Sequence, residues 1–263
     1  YFSGDIHQII NPNYFSFGRL KNMFYSLNNS LKIPVEILSK NYRSQEKIVK
    51  LANKLSEIRK EKIGSFGSED YIEHSIRDGK MPTLMKYSKH TVEKILRMSE
   101  VNAGFVIIVP DDEAVKELKN INNSAMVRKI SDIKGLEYNY IATVNIVTNN
   151  LKFLNGENRN SARHHFNHFY VAITRAIDEL YIIEEDQENF IIAGIENFVE
   201  RTQDFSNNVE ATKSSQDEWS EEARRLEGMR LFSDAALAYK KAFDYEKEKN
   251  CIKKYYFETN DYE

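Results

Sequence analysis

Apolar and polar residues follow two different spacings along this chain, and these spacings predict where strands and helices lie. Short apolar runs, such as FVIIV at residues 105–109, predict buried strands. Apolar residues that recur every three or four positions predict helices. The predicted strands are residues 83–87, 105–109, 126–130, 140–147 and 180–183. The predicted helices are residues 45–59, 91–101, 111–118, 162–176 and 190–199. This alternation favours an α/β fold in which helices cover both faces of a parallel sheet.

The pattern changes after residue 200. Residues 201–217 are rich in Asn, Ser, Gln and acidic side chains, which predicts a linker. In residues 218–263, small and aromatic residues recur at helical spacing, which predicts an antiparallel helical pair followed by a further helix. This small all-α extension resembles a degenerate tetratricopeptide repeat, and the resemblance implies a protein partner at the tail. A helical cap on the preceding domain is the alternative.

Composition excludes several classes of protein. The chain has 263 residues, 41% of them hydrophobic, which is enough to bury one α/β core. No apolar run approaches 18 residues, so neither a membrane-spanning helix nor membrane contact is expected. Cys251 is the only cysteine, which excludes a disulfide scaffold and favours a cytoplasmic location. The chain opens at Tyr1 without a signal peptide, and we expect it to be part of a longer protein.

Charge is distributed unevenly, although the net charge is only -3. Basic residues outnumber acidic ones in residues 19–62, whereas acidic residues dominate residues 184–222. A basic N-terminal part suits contact with a polyanion such as nucleic acid. A basic helix face is just as typical of ordinary solvated surface, so charge alone does not decide between the two.

Four short motifs carry the candidate chemistry. They are GDIHQ at residues 4–8, NYRS at residues 41–44, KGLEY at residues 134–138 and YVAITRA at residues 170–176. Taken alone, GDIHQ is typical of a polar turn and NYRS of a helix-capping turn at Ser44. Arg175 falls outside the apolar stripe of its predicted helix, so packing does not explain it. In this order, the motifs resemble the third, fourth, fifth and last signature motifs of UvrD-like superfamily I helicases.

The resemblance covers about residues 1–185. It implies that residues 39–200 are the second RecA-like domain of such a helicase, a P-loop NTPase fold. Residues 1–38 are then the end of the first RecA-like domain, which is the partner of the second. The implied cofactors are ATP and Mg²⁺, both held mainly by the first domain. The implied nucleic-acid partner is single-stranded DNA, with RNA as the alternative, and the implied movement is 3′-to-5′. No G-x-x-x-x-G-K-[ST] phosphate loop occurs in the sequence, so this chain alone is expected to be inactive.

The resemblance also implies roles for individual residues. The catalytic set, which contacts the ATP phosphates, is Gln8, Arg43 and Arg175. The nucleotide-binding set is Asp5, Tyr42, Gly135 and Glu137. The nucleic-acid-binding set, in which aromatic rings stand beside basic groups, is Phe15, Phe17, Arg19 and Lys134. We expect both arginines of the catalytic set to lie outside the hydrophobic core and to face the cleft. A core role for the two phenylalanines is the alternative, and Ser131 stands where many members have a histidine.

Two other hypotheses follow from the sequence. The first is a helicase-derived scaffold without catalytic activity, whose helical tail binds protein; the presence of both arginines argues against it. The second is a metal site at His164, His165 and His168, because histidines four residues apart on a helix can share a metal ion. Neither a cysteine nor an HExxH motif accompanies them, so zinc is not expected.

Overall fold

The computed structural model describes residues 22–23, 26, 39–64, 72–155, 158–205 and 212–259. The sequence-predicted site residues Asp5, Gln8, Phe15, Phe17 and Arg19 therefore lie outside the described residues.

Eight strands, all of them parallel to their neighbours, are present in the described part of the chain. They are β1 (Lys40–Asn41), β2 (His74–Ser75), β3 (Thr83–Lys86), β4 (Phe105–Val109), β5 (Val127–Lys129), β6 (Tyr138–Val144), β7 (Ala176–Glu184) and β8 (Glu200–Arg201). The last six form one sheet in the order β5-β4-β6-β7-β3-β8, and β1 pairs separately with β2.

Helices cover both faces of the six-stranded sheet. One face carries α1 (Glu46–Ile63), α4 (Ile146–Leu154), α5 (Arg159–Ile173) and α6 (Phe190–Ile195). The other face carries α2 (Lys89–Val101) and α3 (Asp112–Ile121). Short 3₁₀ helices follow β5 at Ile130–Ile133 and α6 at Glu196–Phe198.

Side chains along β4 explain the two faces. Val106 and Ile108 are buried in the first apolar cluster, whereas Phe105, Ile107 and Val109 are buried in the second. Successive residues of a strand point to opposite faces, so an uninterrupted apolar run is what a sheet covered on both sides requires. The predicted α/β class, with a parallel sheet covered by helices and an all-α extension, is confirmed.

The C-terminal extension contains α7 (Gln216–Gly228), α8 (Phe232–Lys241) and α9 (Tyr245–Thr259). Helix α8 packs against both α7 and α9. Trp219 and Leu226 of α7 are buried in the same apolar cluster as the first face of the sheet. Lys241 of α8 donates to the Glu100 carbonyl at 2.6 Å. The extension therefore contacts the α/β core, and the domain boundaries at residues 201–217 stay a prediction.

None of the helices in the described ranges is long and apolar enough to cross a membrane.

The structure corrects the sequence prediction between residues 140 and 154. The predicted strand continued to residue 147, but β6 ends at Val144 and α4 begins at Ile146. Asn145 between them has a left-handed φ of 50°, which ends the strand. The Glu184 carboxylate accepts hydrogen bonds from the Val147 and Thr148 main-chain N–H groups at 3.0 and 2.9 Å. These bonds satisfy free donors at the start of the helix and outweigh the strand preference of its β-branched residues.

Candidate functional site

Three of the four sequence motifs meet at the amino-terminal ends of β6 and β7. The Ser44 hydroxyl donates to the Ala176 carbonyl at 2.8 Å, which joins NYRS to YVAITRA. The Tyr138 N–H donates to the Arg175 carbonyl at 3.1 Å, which joins KGLEY to YVAITRA. Because β6 and β7 are parallel neighbours, the segments that lead into them lie side by side.

Arg43 lies at the centre of this cluster. Its Nη1 donates to Glu137 Oε1 at 2.5 Å, and its Nη2 donates to the Thr174 carbonyl at 3.2 Å. About a third of each side chain of the ion pair remains exposed, 32% for Arg43 and 35% for Glu137. Tyr42, which precedes Arg43, is 65% exposed and presents its ring to solvent. The expectation that Arg43 lies outside the hydrophobic core agrees with this geometry.

The backbone turn that carries Arg43 is set by Asn41. The Asn41 Oδ1 accepts from the N–H groups of Arg43 and Ser44, both at 3.0 Å, as in an Asx turn. The alternative interpretation of NYRS, a helix cap at Ser44, is wrong by one position. Gln45 is the N-cap of α1, its side chain accepting from the Lys47 N–H, whereas the Ser44 hydroxyl is used to contact β7.

Residues 73–77 brace this turn from outside, and the sequence-based predictions include none of them. Glu73 accepts from Asn41 Nδ2 at 2.7 Å. Ser75 donates its hydroxyl proton to the Ser44 carbonyl at 2.6 Å. Arg77 donates through Nη1 to the Arg43 carbonyl and through Nη2 to Asp178 Oδ1. No local sequence signal distinguishes these polar residues from solvated loop residues, since the partners just named lie 31 or more residues away in the sequence.

Arg175 differs from its expected position. The sequence predicted a helix through residue 176 and an arginine facing an open cleft, but α5 ends at Ile173 and Arg175 is only 3% exposed. It lies in the turn before β7, and its Nε donates to the Val171 carbonyl at 3.3 Å. The last carbonyls of a helix lack partners within the helix and attract a cation. Arg43 contacts the same helix end through the Thr174 carbonyl, so both guanidinium groups lie at the end of α5.

Lys134 and Gly135 lie on the exposed side of the cluster, directly before β6. Gly135 has a φ of 85°, a backbone conformation that residues with a Cβ atom rarely adopt. A Cβ at this position would also lie 3.5 Å from Met229 Cε of the C-terminal extension. The backbone conformation therefore favours glycine at this position of KGLEY.

The three histidines of α5 pack beside Phe153 of α4. The ring of His165 stacks on Phe153 with centroids 4.4 Å apart, and the rings of His164 and His168 are 3.9 Å apart. Burial lowers the pKa of His165 to about 4 and that of His168 to about 3, which favours neutral imidazoles. Among the described residues, no group of three or more His, Cys, Asp or Glu side chains is arranged to hold a metal ion.

Comparisons with known proteins add little to this geometry. No protein-family model matches the chain, and no curated protein does either. One similar solved structure is the C-terminal domain of a possible DNA helicase from Lactobacillus plantarum WCFS1. It aligns with a TM-score of 0.43 and 13% sequence identity, over 61% of this chain and 98% of that chain. A likeness this weak carries no argument about function, which therefore has to be argued from the site.

Proposed function

We propose that this chain supplies the second RecA-like domain of an ATP-dependent, UvrD-like DNA helicase or translocase. The observation that carries the proposal is the contact of Arg43 with both other motifs. Its partners Glu137 and Thr174 are 94 and 131 residues away in the sequence. Motifs that mattered only locally would have no reason to converge on one guanidinium group. This convergence supports a shared site at the edge of the domain.

The donors of Arg43 suit the phosphates of a nucleotide. A guanidinium group has five N–H donors. The bonds to Glu137 and Thr174 use one donor on Nη1 and one on Nη2, and Nε is buried, so one donor on each terminal nitrogen remains for a phosphate. Arginine binds phosphate oxygens in a bidentate manner, and the exposed ring of Tyr42 beside it offers a surface for adenine. In this proposal the preceding RecA-like domain holds Mg²⁺ and most of ATP, while Arg43 and Arg175 neutralise charge that develops in the transition state.

The single strand is proposed to run past Lys134 and the aromatic residues 15 and 17. Lys134 is exposed, and the next residue, Gly135, has a positive φ. Because glycine has no side chain, a phosphate can approach the main chain closely at this position. DNA is proposed over RNA only on the basis of the family resemblance.

A second candidate is favoured by two observations. Arg175 is buried, as a structural arginine would be, and the C-terminal extension exposes large aromatic side chains. Phe243 and Phe257 are each 66% exposed, and Tyr245 is 55% exposed. These features are those expected of a helicase-derived scaffold that binds a protein through its tail.

ATP turnover separates the two candidates, measured in the protein that includes the preceding RecA-like domain. Arg43→Ala and Arg175→Lys are expected to lower the turnover number by about a hundredfold or more, the scale of losing a positioned transition-state donor. The lysine variant is used for Arg175 because it keeps a charge and most of the buried volume. Arg97→Ala, an exposed change on α2, is the control. The dissociation constant for single-stranded DNA should stay constant in all three.

Two results would favour the scaffold. One is an absence of nucleic-acid-stimulated turnover in the unaltered protein. The other is an Arg175→Lys protein that melts earlier but keeps its specific activity, because that arginine would then be structural. Turnover by this chain alone, free of contaminants, would contradict the assignment to a second RecA-like domain.

A further inference from the structure

Arg43, Arg175 and Glu137 form a cluster that we call the arginine site. Helix α7 of the C-terminal extension contacts this site directly. Arg225 Nη1 donates to the main-chain carbonyl of Glu137 at 2.9 Å. The centre of the same guanidinium group lies 4.5 Å from the ring centroid of Tyr138, in a cation–π contact. One side chain of the extension thus binds two successive residues of the KGLEY motif.

Arg225 is itself held in a fixed orientation. Its Nε and Nη2 donate to Glu222 Oε2 at 2.8 and 2.7 Å. Tyr138 donates its hydroxyl proton to the other oxygen, Glu222 Oε1, at 2.8 Å. Glu222 is only 7% exposed, so these bonds are shielded from water. Glu222, Arg225 and Tyr138 therefore form a closed network between α7 and the start of β6.

Glu137 connects this network to Arg43. Its main-chain carbonyl accepts from Arg225, while its carboxylate pairs with Arg43 at 2.5 Å. The next N–H, that of Tyr138, donates to the Arg175 carbonyl. A shift of the main chain at Glu137 therefore moves the group that orients Arg43 and the bond that connects to Arg175.

We propose that Arg225 is a positioning residue of the arginine site, acting through the Glu137–Arg43 pair. On this proposal the C-terminal helices are part of the ATP-dependent machinery. A displacement of α7 changes the orientation of Arg43 and leaves the affinity for the nucleic-acid strand unchanged. The inference rests on the proposed function, but the contact on which it depends is testable in this chain by itself.

Amide hydrogen exchange at Tyr138 provides the first test. Arg225→Met keeps a long side chain over the Tyr138 ring but removes the bonds to Glu137 and Glu222. Arg225→Met leaves the Glu222 carboxylate buried with the Tyr138 hydroxyl but without its arginine partner, so Glu222→Gln with Arg225→Met is measured as well. The control is Arg224→Met, on the adjacent exposed position of α7. Exchange at Tyr138 should accelerate about tenfold or more in both Arg225 variants, and stay unchanged in the control.

The second test is a double-mutant cycle on ATP turnover, in the protein with the preceding RecA-like domain. Arg225→Met should lower kcat about tenfold, leave the strand dissociation constant unchanged, and have little further effect in a Glu137→Gln background. Arg225→Lys, which keeps the charge, should recover part of kcat.

Unchanged exchange at Tyr138, or additive effects of Arg225→Met and Glu137→Gln, would overturn the inference. If Arg43→Ala still abolishes turnover in that case, the proposed function stands. If the unaltered protein has no turnover, the proposed function fails and the exchange measurement alone decides whether Arg225 holds this segment.

Discussion

The ion pair between Arg128 and Asp234 links the C-terminal helices to the sheet. Arg128 lies on the edge strand β5, and its side chain is 1% exposed. Its Nη1 is 3.0 Å from Asp234 Oδ2, on the first turn of α8. Asp234 Oδ1 is also 3.3 Å from Lys119 Nζ of α3. A buried guanidinium group on β5 thus depends for its charge partner on a helix more than 100 residues later.

Asp234→Asn keeps the shape of the side chain and removes its charge. Loss of one partner of a buried ion pair costs about 3–5 kcal/mol, because the other charge stays buried without compensation. Glu222 and Asp132 also act electrostatically on Arg128 and offset part of the loss. We therefore expect about 3 kcal/mol. For a domain of this size, each kcal/mol lowers the melting temperature by about 2–4 °C, so the expected decrease is about 6–12 °C.

Urea and thermal unfolding are followed by circular dichroism and by the fluorescence of Trp219. This residue is the only tryptophan in the chain, lies on α7 and is 4% exposed, so its fluorescence reports on the extension. The two signals should change together if the extension and the sheet unfold as one unit. Lys119→Met is the control, expected to cost under about 1 kcal/mol because that lysine is partly exposed. Arg128→Met with Asp234→Leu should recover most of the stability.

A cost of under about 1 kcal/mol for Asp234→Asn would refute this reasoning. So would a fluorescence transition that precedes the dichroism transition, because the extension would then be the separate unit that the sequence predicts beyond residue 217.

Three further predictions concern titration and strand binding. The lowered pKa of His168, about 3 against 6.5, means that the unfolded chain binds more protons at this group, so the contribution of His168 to stability should fall as pH decreases from about 6.5 to 3. His168→Leu should flatten that part of a curve of unfolding free energy against pH, and an unaltered slope would assign the acid sensitivity elsewhere. Burial raises the pKa of Glu184 to about 7 against 4.5, so the folded chain binds the extra proton, and the contribution of Glu184 to stability should fall as pH rises from about 4.5 to 7, opposite in sign to that of His168. Glu184→Gln should remove this slope and destabilise α4; if the slope persists, another group is responsible. Phe17→Ala should weaken single-strand binding by about 1–3 kcal/mol in a fluorescence anisotropy titration if the ring stacks on a base, whereas a lower melting temperature with unchanged binding would indicate a core role.

The strands of the core were predictable because their signal is local. Residues 105–109 are apolar throughout, and a strand covered on both faces has no alternative position for a polar residue. Helix α4 was not predictable in the same way. It begins with Ile146, Val147 and Thr148, which favour strands, and the Glu184 carboxylate that stabilises its first turn lies 36 residues further along the chain. The residues close to α4 in the sequence therefore do not indicate its contact with Glu184.

The candidate site was predictable as a set of segments but not as a geometry. The motifs NYRS, KGLEY and YVAITRA identified the segments that meet. KGLEY and YVAITRA lead into β6 and β7, and because these strands are parallel neighbours, the segments before them lie side by side. The predicted orientation of Arg175 was wrong because α5 ends at Ile173, two residues before the arginine. The side chain therefore does not continue a helix face but folds back on the last carbonyls of the helix. The bracing residues Glu73 and Arg77 were missed because their partners are distant.

Acidic residues of the extension show the same limit in another form. The sequence shows an acidic excess in residues 184–222 and further acidic residues, such as Asp234, in the helices that follow. In the structure, Glu222 is buried against Tyr138 and Arg225, and Asp234 neutralises a buried arginine of the sheet. A charge count cannot separate a carboxylate that faces water from one that neutralises a distant cation, since both contribute the same -1. The extension is therefore better identified by the partners of its charged residues than by its helical repeat, and those partners lie on β5 and around the start of β6.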